Sequence, residues 1–278
     1  MIMKLDNFSL FSTLLKQRTG YSLAHEKSYF LEARLLPVVR KWNLHSIDDL
    51  AIALHTKPNE NMVVDFLDCV TKIESVFFQD KSPFDLFQKT LLPELLATRG
   101  TKKNIRIWSA AASSGQEAYS LAMVCSEEYS RLQACNVEII GTDLSKEMVA
   151  RAKNGIYSQL EVQRGLPVAF LLKYFFHHAD KWQIHEKIRH MVKFFESNLI
   201  SESQTHGVFD VIFCRDVLRY LDLDIQKRVL ETLKKSLAPN GALIIGRSES
   251  IVGIANFFKL ASPDHEYYIH PQSGGFKR

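Results

Sequence analysis

The chain holds 278 residues, 46% apolar and 24% charged, with a formal net charge of +4. A chain this long buries about three quarters of its unfolded surface, so one large or two modest domains fit, and the composition excludes disordered and collagen-like classes. The charge is too small to imply nucleic acid by itself.

No window approaches the roughly 18 consecutive apolar residues that span a bilayer. The opening stretch MIMKLDNFSLF lacks the apolar core and cleavage site of a secretory signal. A cytoplasmic protein without membrane insertion is therefore expected. Cys69, Cys125, Cys135 and Cys214 show no CxxC spacing and sit mostly in apolar runs, which predicts reduced, buried thiols.

Up to about residue 80 the apolar spacing is helical. Phe8, Phe11 and Leu15 mark a first helix; Leu31, Leu35 and Val38 a second; Ile47, Leu50 and Leu54 a third; Met62, Phe66 and Val70 a fourth. Ser46 with Asp49 three positions on reads as a helix start, and Lys57-Pro58-Asn59 as a break. From about Asn104 short apolar runs alternate with helical patterns, the signature of βαβ units and a parallel sheet. The predicted strands are Ile105 to Ala110, Val137 to Thr142, Phe209 to Cys214 and Ala242 to Gly246. The predicted helices between them are Glu117 to Leu132, Ser145 to Asn154 with Ser145 as N-cap and Gly155 as stop, and Asp224 to Leu237. Pro239-Asn240-Gly241 reads as the turn into the last of these strands.

In such a doubly wound sheet ligands lie beyond the carboxyl ends of the strands. The first strand runs into the small-residue loop Ser109 to Gly115, which lets a ligand approach the backbone just before a helix N-terminus, although tight turns select the same residues. The second strand ends in Thr142-Asp143. Asp143 suits two tasks equally: accepting both hydroxyls of a ribose, or capping the next helix. The loop lacks the glycines that admit a pyrophosphate and the lysine that holds a triphosphate. S-adenosylmethionine, which has no phosphate, fits better.

Charge is concentrated in one stretch. Arg164 to Lys193 contains Arg164, Lys173, Lys181, Lys187, Arg189 and Lys193 against Asp180 and Glu186, so it carries the whole +4. It suits either a docking surface for an acidic partner or an ordinary solvated face. His177, His178, His185 and His190 lie in the same stretch, but their spacing fits no common ligand pattern and no metal is expected.

Five segments in order resemble the motifs of the chemoreceptor glutamate methyltransferases of the CheR type. They are RIWSAAASSGQEAYSLAM (106–123), GTDL (141–144), SNL (197–199), IFCRDVLRYLD (212–222) and IGRSES (245–250). The likeness extends to TKIESVFFQD (71–80) and YSQLEVQRGL (157–166), and so spans nearly the whole chain. It implies an α/β protein: an N-terminal all-helical domain (1–80), then a Rossmann-like S-adenosylmethionine-dependent methyltransferase domain (81–278) with a small antiparallel β insert at about 164–193. Alternation around Trp182 and Ile184, and around Val192 and Phe194, suits two short strands there. The partner implied is a methyl-accepting chemotaxis receptor, met through the basic insert and the helical domain. No basic groove interleaved with aromatics stands out, so nucleic acid is not an expected partner.

The resemblance also assigns residues. Ser75, Gln79, Ala111 and Met148 fall at cofactor-binding positions, with Glu117 and Asp143, the latter on the ribose. Asn198 and Leu199 would lie near the adenine, Arg215 and Asp216 beside the methionyl portion, and Tyr220 at the reacting centre. Tyr220 and Gln79 are the expected catalytic residues, facing one another across a pocket between the helical domain and the carboxyl edge of the sheet. Read without the family, Glu117 is a first-turn helix acid, Arg215 a surface ion-pair partner and Tyr220 core packing.

Three positions depart from the family pattern: Ile73 stands for asparagine, Gln79 for arginine, and Asp216 for the asparagine of an Arg-Asn pair. Gln79 donates a neutral hydrogen bond in place of a charged fork. Asp216 adds a negative charge that attracts a sulfonium and repels a glutamate. The expected function is methyl transfer to receptor glutamates; the alternative is a weakened relative serving as a cofactor- or receptor-binding regulatory module.

Overall fold

The computed structural model describes residues 5–72, 74–98, 104–201, 206–262 and 265–269. Contacts divide the chain into two units: a helical one up to residue 73 that also takes in Arg219–Ile225, and an α/β one from Glu74 to Leu218 and from Gln226 onward.

The helical unit contains α1 (Leu5–Thr19), α2 (Ser28–Lys41), α3 (Ile47–Thr56) and α4 (Glu60–Thr71). Their apolar stripes converge on Phe11, Leu15, Leu31, Leu35, Leu50 and Phe66, all fully buried. Each helix follows its predicted spacing, and the break at 57–59 separates α3 from α4. Ser46 caps α3 through its hydroxyl, which accepts the Asp49 N–H at 3.1 Å. Ser46→Ala is expected to cost about 1 kcal/mol of stability, read from a urea melt. The Arg219–Ile225 segment joins this unit by an antiparallel bridge between Tyr21 and Leu221, by the Ser22 N–H donating to the Tyr220 carbonyl at 2.7 Å, and by a Lys16–Asp222 ion pair.

The α/β unit begins with α5 (Ser82–Leu86) and α6 (Leu92–Thr98), joined by a wide turn over Phe87–Leu91. Next come β1 (Asn104–Ala110), α7 (Gln116–Glu127), α8 (Tyr129–Leu132), β2 (Asn136–Asp143) and α9 (Lys146–Asn154). A small region follows: β3 (Ile156–Tyr157), α10 (Gln159–Gln163), α11 (Val168–Tyr174), β4 (Phe175–His178), β5 (Lys181–Ile184) and α12 (Glu186–Arg189). The chain then forms β6 (Val192–Glu196), β7 (Phe209–Cys214), α13 (Leu223–Lys235), β8 (Leu237–Ile245), β9 (Lys259–Ser262) and β10 (His265–Ile269).

The main sheet has seven strands in the order β6-β2-β1-β7-β8-β10-β9. The first five are parallel; β10 runs antiparallel to β8, and β9 antiparallel to β10. Every residue of β7 is buried, as a central parallel strand covered on both faces requires. The chain leaves β1 toward β2 and leaves β7 toward β8, so the crevice between adjacent β1 and β7 is the point where connections diverge.

Two expectations need correction. Val192 and Phe194 do not belong to the insert: they lie in β6, paired in parallel with β2 from Ile139↔Val192 to Asp143↔Glu196. Alternation reads the same on an edge strand of either sheet. Gly141 settles the matter, because a Cβ there would lie 2.5 Å from the Phe194 ring. The insert is instead a three-stranded sheet in the order β3-β5-β4, which draws in Ile156 and Tyr157 from before the basic stretch. Second, Pro239-Asn240-Gly241 is no turn into a strand. It is a bulge within β8, whose register against β7 shifts between Phe209 and Val211.

Among the described residues no helix is long and apolar enough to cross a membrane. All four cysteines are reduced thiols; Cys125 and Cys214 are buried and Cys69 and Cys135 half-buried. Burial pushes the Cys125 thiol up to about 12, so it stays protonated.

Candidate active site

Two clusters form at the carboxyl ends of the parallel strands. The first surrounds the loop after β1. Ala111 (φ 59°), Ser113 (φ 50°) and Gly115 (φ 94°) alternate through left-handed conformations, folding the loop tightly over the start of α7. Ala and Ser cost about 1–2 kcal/mol each in that region, so surrounding bonds must hold them. The Ala112 N–H donates to the Thr142 carbonyl at 2.8 Å, and the Tyr157 hydroxyl to the Ser114 carbonyl at 2.8 Å.

Asp143 ends β2 and accepts two backbone amides, Ser113 on Oδ2 at 2.7 Å and Ser145 on Oδ1 at 2.9 Å. It ties the loop after β1 to the entry of α9. The helix cap itself is Ser145, whose hydroxyl accepts the Met148 N–H. Burial pushes the Asp143 carboxyl above its ordinary value, against the pull of the amides of Ser145, Ser113 and Leu144. Met148 is buried in the first turn of α9. The Ser197 N–H donates to the Asp143 carbonyl at 2.8 Å, placing half-buried Asn198 and Leu199 just beyond β6. Ala111, Asp143, Met148, Asn198 and Leu199 thus follow the ends of three adjacent strands.

The second cluster surrounds Arg215, the first residue after β7. Its side chain is only 3% exposed, which removes the reading as a surface ion pair. Its guanidinium meets Asp80 at 2.6 Å, Glu117 at 3.0 Å and the Gln79 carbonyl at 3.1 Å. Glu117, in the first turn of α7, also accepts the Ser109 hydroxyl at 2.8 Å. One arginine therefore joins three segments: residues 79–80, the end of β7 and the start of α7. Its Nε is buried without a hydrogen-bond partner among the described residues.

Gln79 and Asp216, two of the three departures, meet directly: Gln79 Nε2 donates to Asp216 Oδ2 at 2.9 Å. The acid at 216 is thus bonded by the amide at 79. Asp216 has φ 59°, and its N–H donates to Glu249 Oε2 at 2.9 Å, which also takes the Gly246 N–H at 2.8 Å. Ser75 is half-buried in the preceding irregular stretch. Ile73 lies outside the described residues. Tyr220 belongs to the helical unit, where its ring stacks on Tyr21 at 4.8 Å with the planes 9° apart.

Sequence reasoning gave no role to Asp80, Ser109 or Glu249, although each stands within or beside a quoted motif. The available signal was excess: Asp80 ends its motif and Glu249 sits inside IGRSES, both acids without a stated partner. Neither acid has one until the fold brings the segments together.

A mostly parallel sheet with a glycine-poor loop after its first strand and an acid closing its second makes this an α/β protein whose strand ends suit a nucleoside ligand without phosphates. Comparison with known proteins gives the class. The family model described as "CheR methyltransferase, SAM binding domain" matches residues 74–267, and "CheR methyltransferase, all-alpha domain" matches residues 6–71. The chain belongs to the CheR methyltransferase family. Its fold is an all-helical domain with an S-adenosylmethionine-dependent methyltransferase domain, its cofactor is S-adenosylmethionine, and it is a methyltransferase.

Similar proteins include the chemotaxis protein methyltransferase of Vibrio anguillarum, 38% identical over 254 residues, covering 90% of this chain and 91% of that protein. Chemotaxis protein methyltransferase 1 of Vibrio cholerae serotype O1 is 36% identical over 253 residues, with coverage of 90% and 91%. Chemotaxis protein methyltransferase 1 of Pseudomonas aeruginosa is 34% identical over 261 residues, with coverage of 91% and 93%.

Proposed function

We propose that this protein, acting in the cytoplasm, transfers the methyl group of S-adenosylmethionine to glutamate side chains of a chemotaxis receptor. The observation that carries this reading is Asp143, an acid at the carboxyl end of β2 whose carboxylate is fixed by backbone amides, Ser113 and Ser145 among them, beside the loop after β1. Asn198 and Leu199 border the adenine in this reading. Ala111 and Met148 line the nucleoside, and Ser75 and Glu117 complete the cofactor positions. The orphaned Arg215 Nε fits a carboxylate on the methionyl portion, a group that needs a donor at that depth.

S-adenosylmethionine supplies a methyl group on a positively charged sulfur. A glutamate side chain is already ionised at neutral pH, so no general base is required. What remains for the protein is to align a carboxylate oxygen with the methyl carbon and to exclude water. Tyr220 and Gln79 take the orienting roles. Tyr220 presents a hydroxyl donor from a ring held by Tyr21. Gln79 is held by Asp216, so it orients by geometry and not by charge. The products are a glutamyl methyl ester and S-adenosylhomocysteine.

The helical domain and the basic insert are the docking surfaces in this reading. Within the basic stretch, Arg164 and Lys173 of the insert pair with Glu74 and Glu127, and Lys193 of β6 pairs with Glu138. The face that suits an acidic receptor therefore narrows to the β4–β5 hairpin, where Lys181, His177 and His178 are exposed, and to α12 with Lys187.

The test is transfer of labelled methyl from S-adenosylmethionine to a receptor helical fragment. A base-labile ester on glutamate, lost when those glutamates are glutamine, is expected. Binding of S-adenosylhomocysteine with no ester formed, and transfer restored by Gln79→Arg with Asp216→Asn, would instead make the protein a regulatory module.

A further inference from the structure

The segment carrying Gln79 and Asp80 does not hold its own shape. Phe78 (φ 50°), Asp80 (φ 64°) and Lys81 (φ 40°) all adopt left-handed conformations without glycine. Such a segment persists only where its surroundings over-determine it. Arg215 and Asp216 hold Asp80 and Gln79, and the insert holds the two rings that precede them. Phe77 is fully buried, its ring edge-on to Tyr157 of β3 at 5.0 Å and to Phe175 of β4 at 5.6 Å. The next ring, Phe78, lies 5.4 Å from Phe170 of α11. Gly165, between α10 and α11, presses so closely that a Cβ there would lie 2.1 Å from the Phe77 carbonyl oxygen. From α7 the Ser120 hydroxyl accepts the Phe78 N–H at 3.0 Å.

Tyr157 faces two ways. Its ring meets Phe77, and its hydroxyl bonds the Ser114 carbonyl in the loop after β1 at 2.8 Å. The insert thus braces both loops that end in the active-site clusters: 77–81, leading to Asp216 and Arg215, and 109–115, leading to Asp143.

We propose that Phe77 is a positioning residue through which the insert sets the placement of Gln79, so that affinity for the methyl donor depends on the seat that Tyr157, Phe175 and Gly165 provide. This rests on the reading that Gln79 borders the donor. The insert then has a task inside the active site, separate from any task at its outer surface.

A double-mutant cycle on the full chain tests this, with S-adenosylhomocysteine as the probe in calorimetry and the melting temperature as a check on folding. Phe77→Leu keeps an apolar side chain but loses both edge-on contacts. It is expected to weaken binding about tenfold, the scale on which sub-ångström misplacement acts. In a Gln79→Ala background the same change is expected to matter by less than about twofold, because its route to the ligand is gone. A merely structural role would weaken binding equally in both backgrounds, and that result, or no weakening by Phe77→Leu, overturns the proposal. Should Gln79→Ala alone leave the affinity unchanged, the placement of Gln79 beside the donor falls, and this inference with it. If Phe77→Leu does not fold, Phe175→Leu, which removes one of the two edge-on contacts, is read through the same cycle with the same criteria.

Discussion

Asp143→Ala is expected to weaken binding of S-adenosylhomocysteine by about a hundredfold, measured by calorimetry. Two ribose hydroxyls donating to one carboxylate are charge-assisted bonds, each contributing about 1.5–3 kcal/mol, and losing both corresponds to at least that factor. The substitution also removes the acceptor that holds the Ser113 and Ser145 amides, so the loop after β1 loses a tether. The pH dependence follows from the same group. In the proposed complex ribose hydroxyls donate to the ionised carboxylate, so binding would favour that form. Burial has raised the Asp143 value in the free protein, so as the pH is lowered affinity should start to fall earlier, at a higher pH than that at which an ordinary aspartate protonates. The alanine variant should show no such dependence in that range.

Arg215→Ala is expected to lower the unfolding free energy by about 3–5 kcal/mol, read by urea denaturation, because removing one partner of a buried ion pair strands the other. Glu117 is the carboxylate left most exposed to this penalty, with its side chain 14% exposed; Asp80, at 32%, regains water more readily. Arg215→Lys should recover only part of the loss, since a point charge cannot span Asp80, Glu117 and the Gln79 carbonyl at once. Ser46→Ala serves as the contrast, a half-buried cap without charge and with a cost several times smaller.

These residues show how far the sequence could be read. The helical unit was legible because each of its helices buries one stripe at helical spacing, and α9 because Ser145 and Gly155 mark its ends by their own local chemistry. The strands β1, β2 and β7 were legible as apolar runs of the right length. Val192 and Phe194 were placed in the wrong sheet because alternation reports a buried face without naming the neighbour; the neighbour was Gly141. The main-sheet strands β9 and β10 and the helices α5 and α6 carried no reading at all.

At the site, the small-residue loop and Asp143 could be found from spacing. The remaining positions came through the resemblance to a known family, which names positions but not their bonds. Treated separately, Gln79 and Asp216 looked like two losses. In the fold they are one hydrogen bond, a relation between residues 137 positions apart that no local pattern expresses. Arg215 is the same case in reverse: its ion partners lie far away in sequence at Asp80 and Glu117, so alone it resembled a surface residue.

The crystal structure of the complex with S-adenosylhomocysteine tests the account most directly. The expected result places both ribose hydroxyls within hydrogen-bond distance of Asp143, the adenine beside Asn198 and Leu199, and a ligand carboxylate on the Arg215 Nε. A ligand seated elsewhere, or one whose ribose leaves Asp143 bonded only to Ser113 and Ser145, would contradict it.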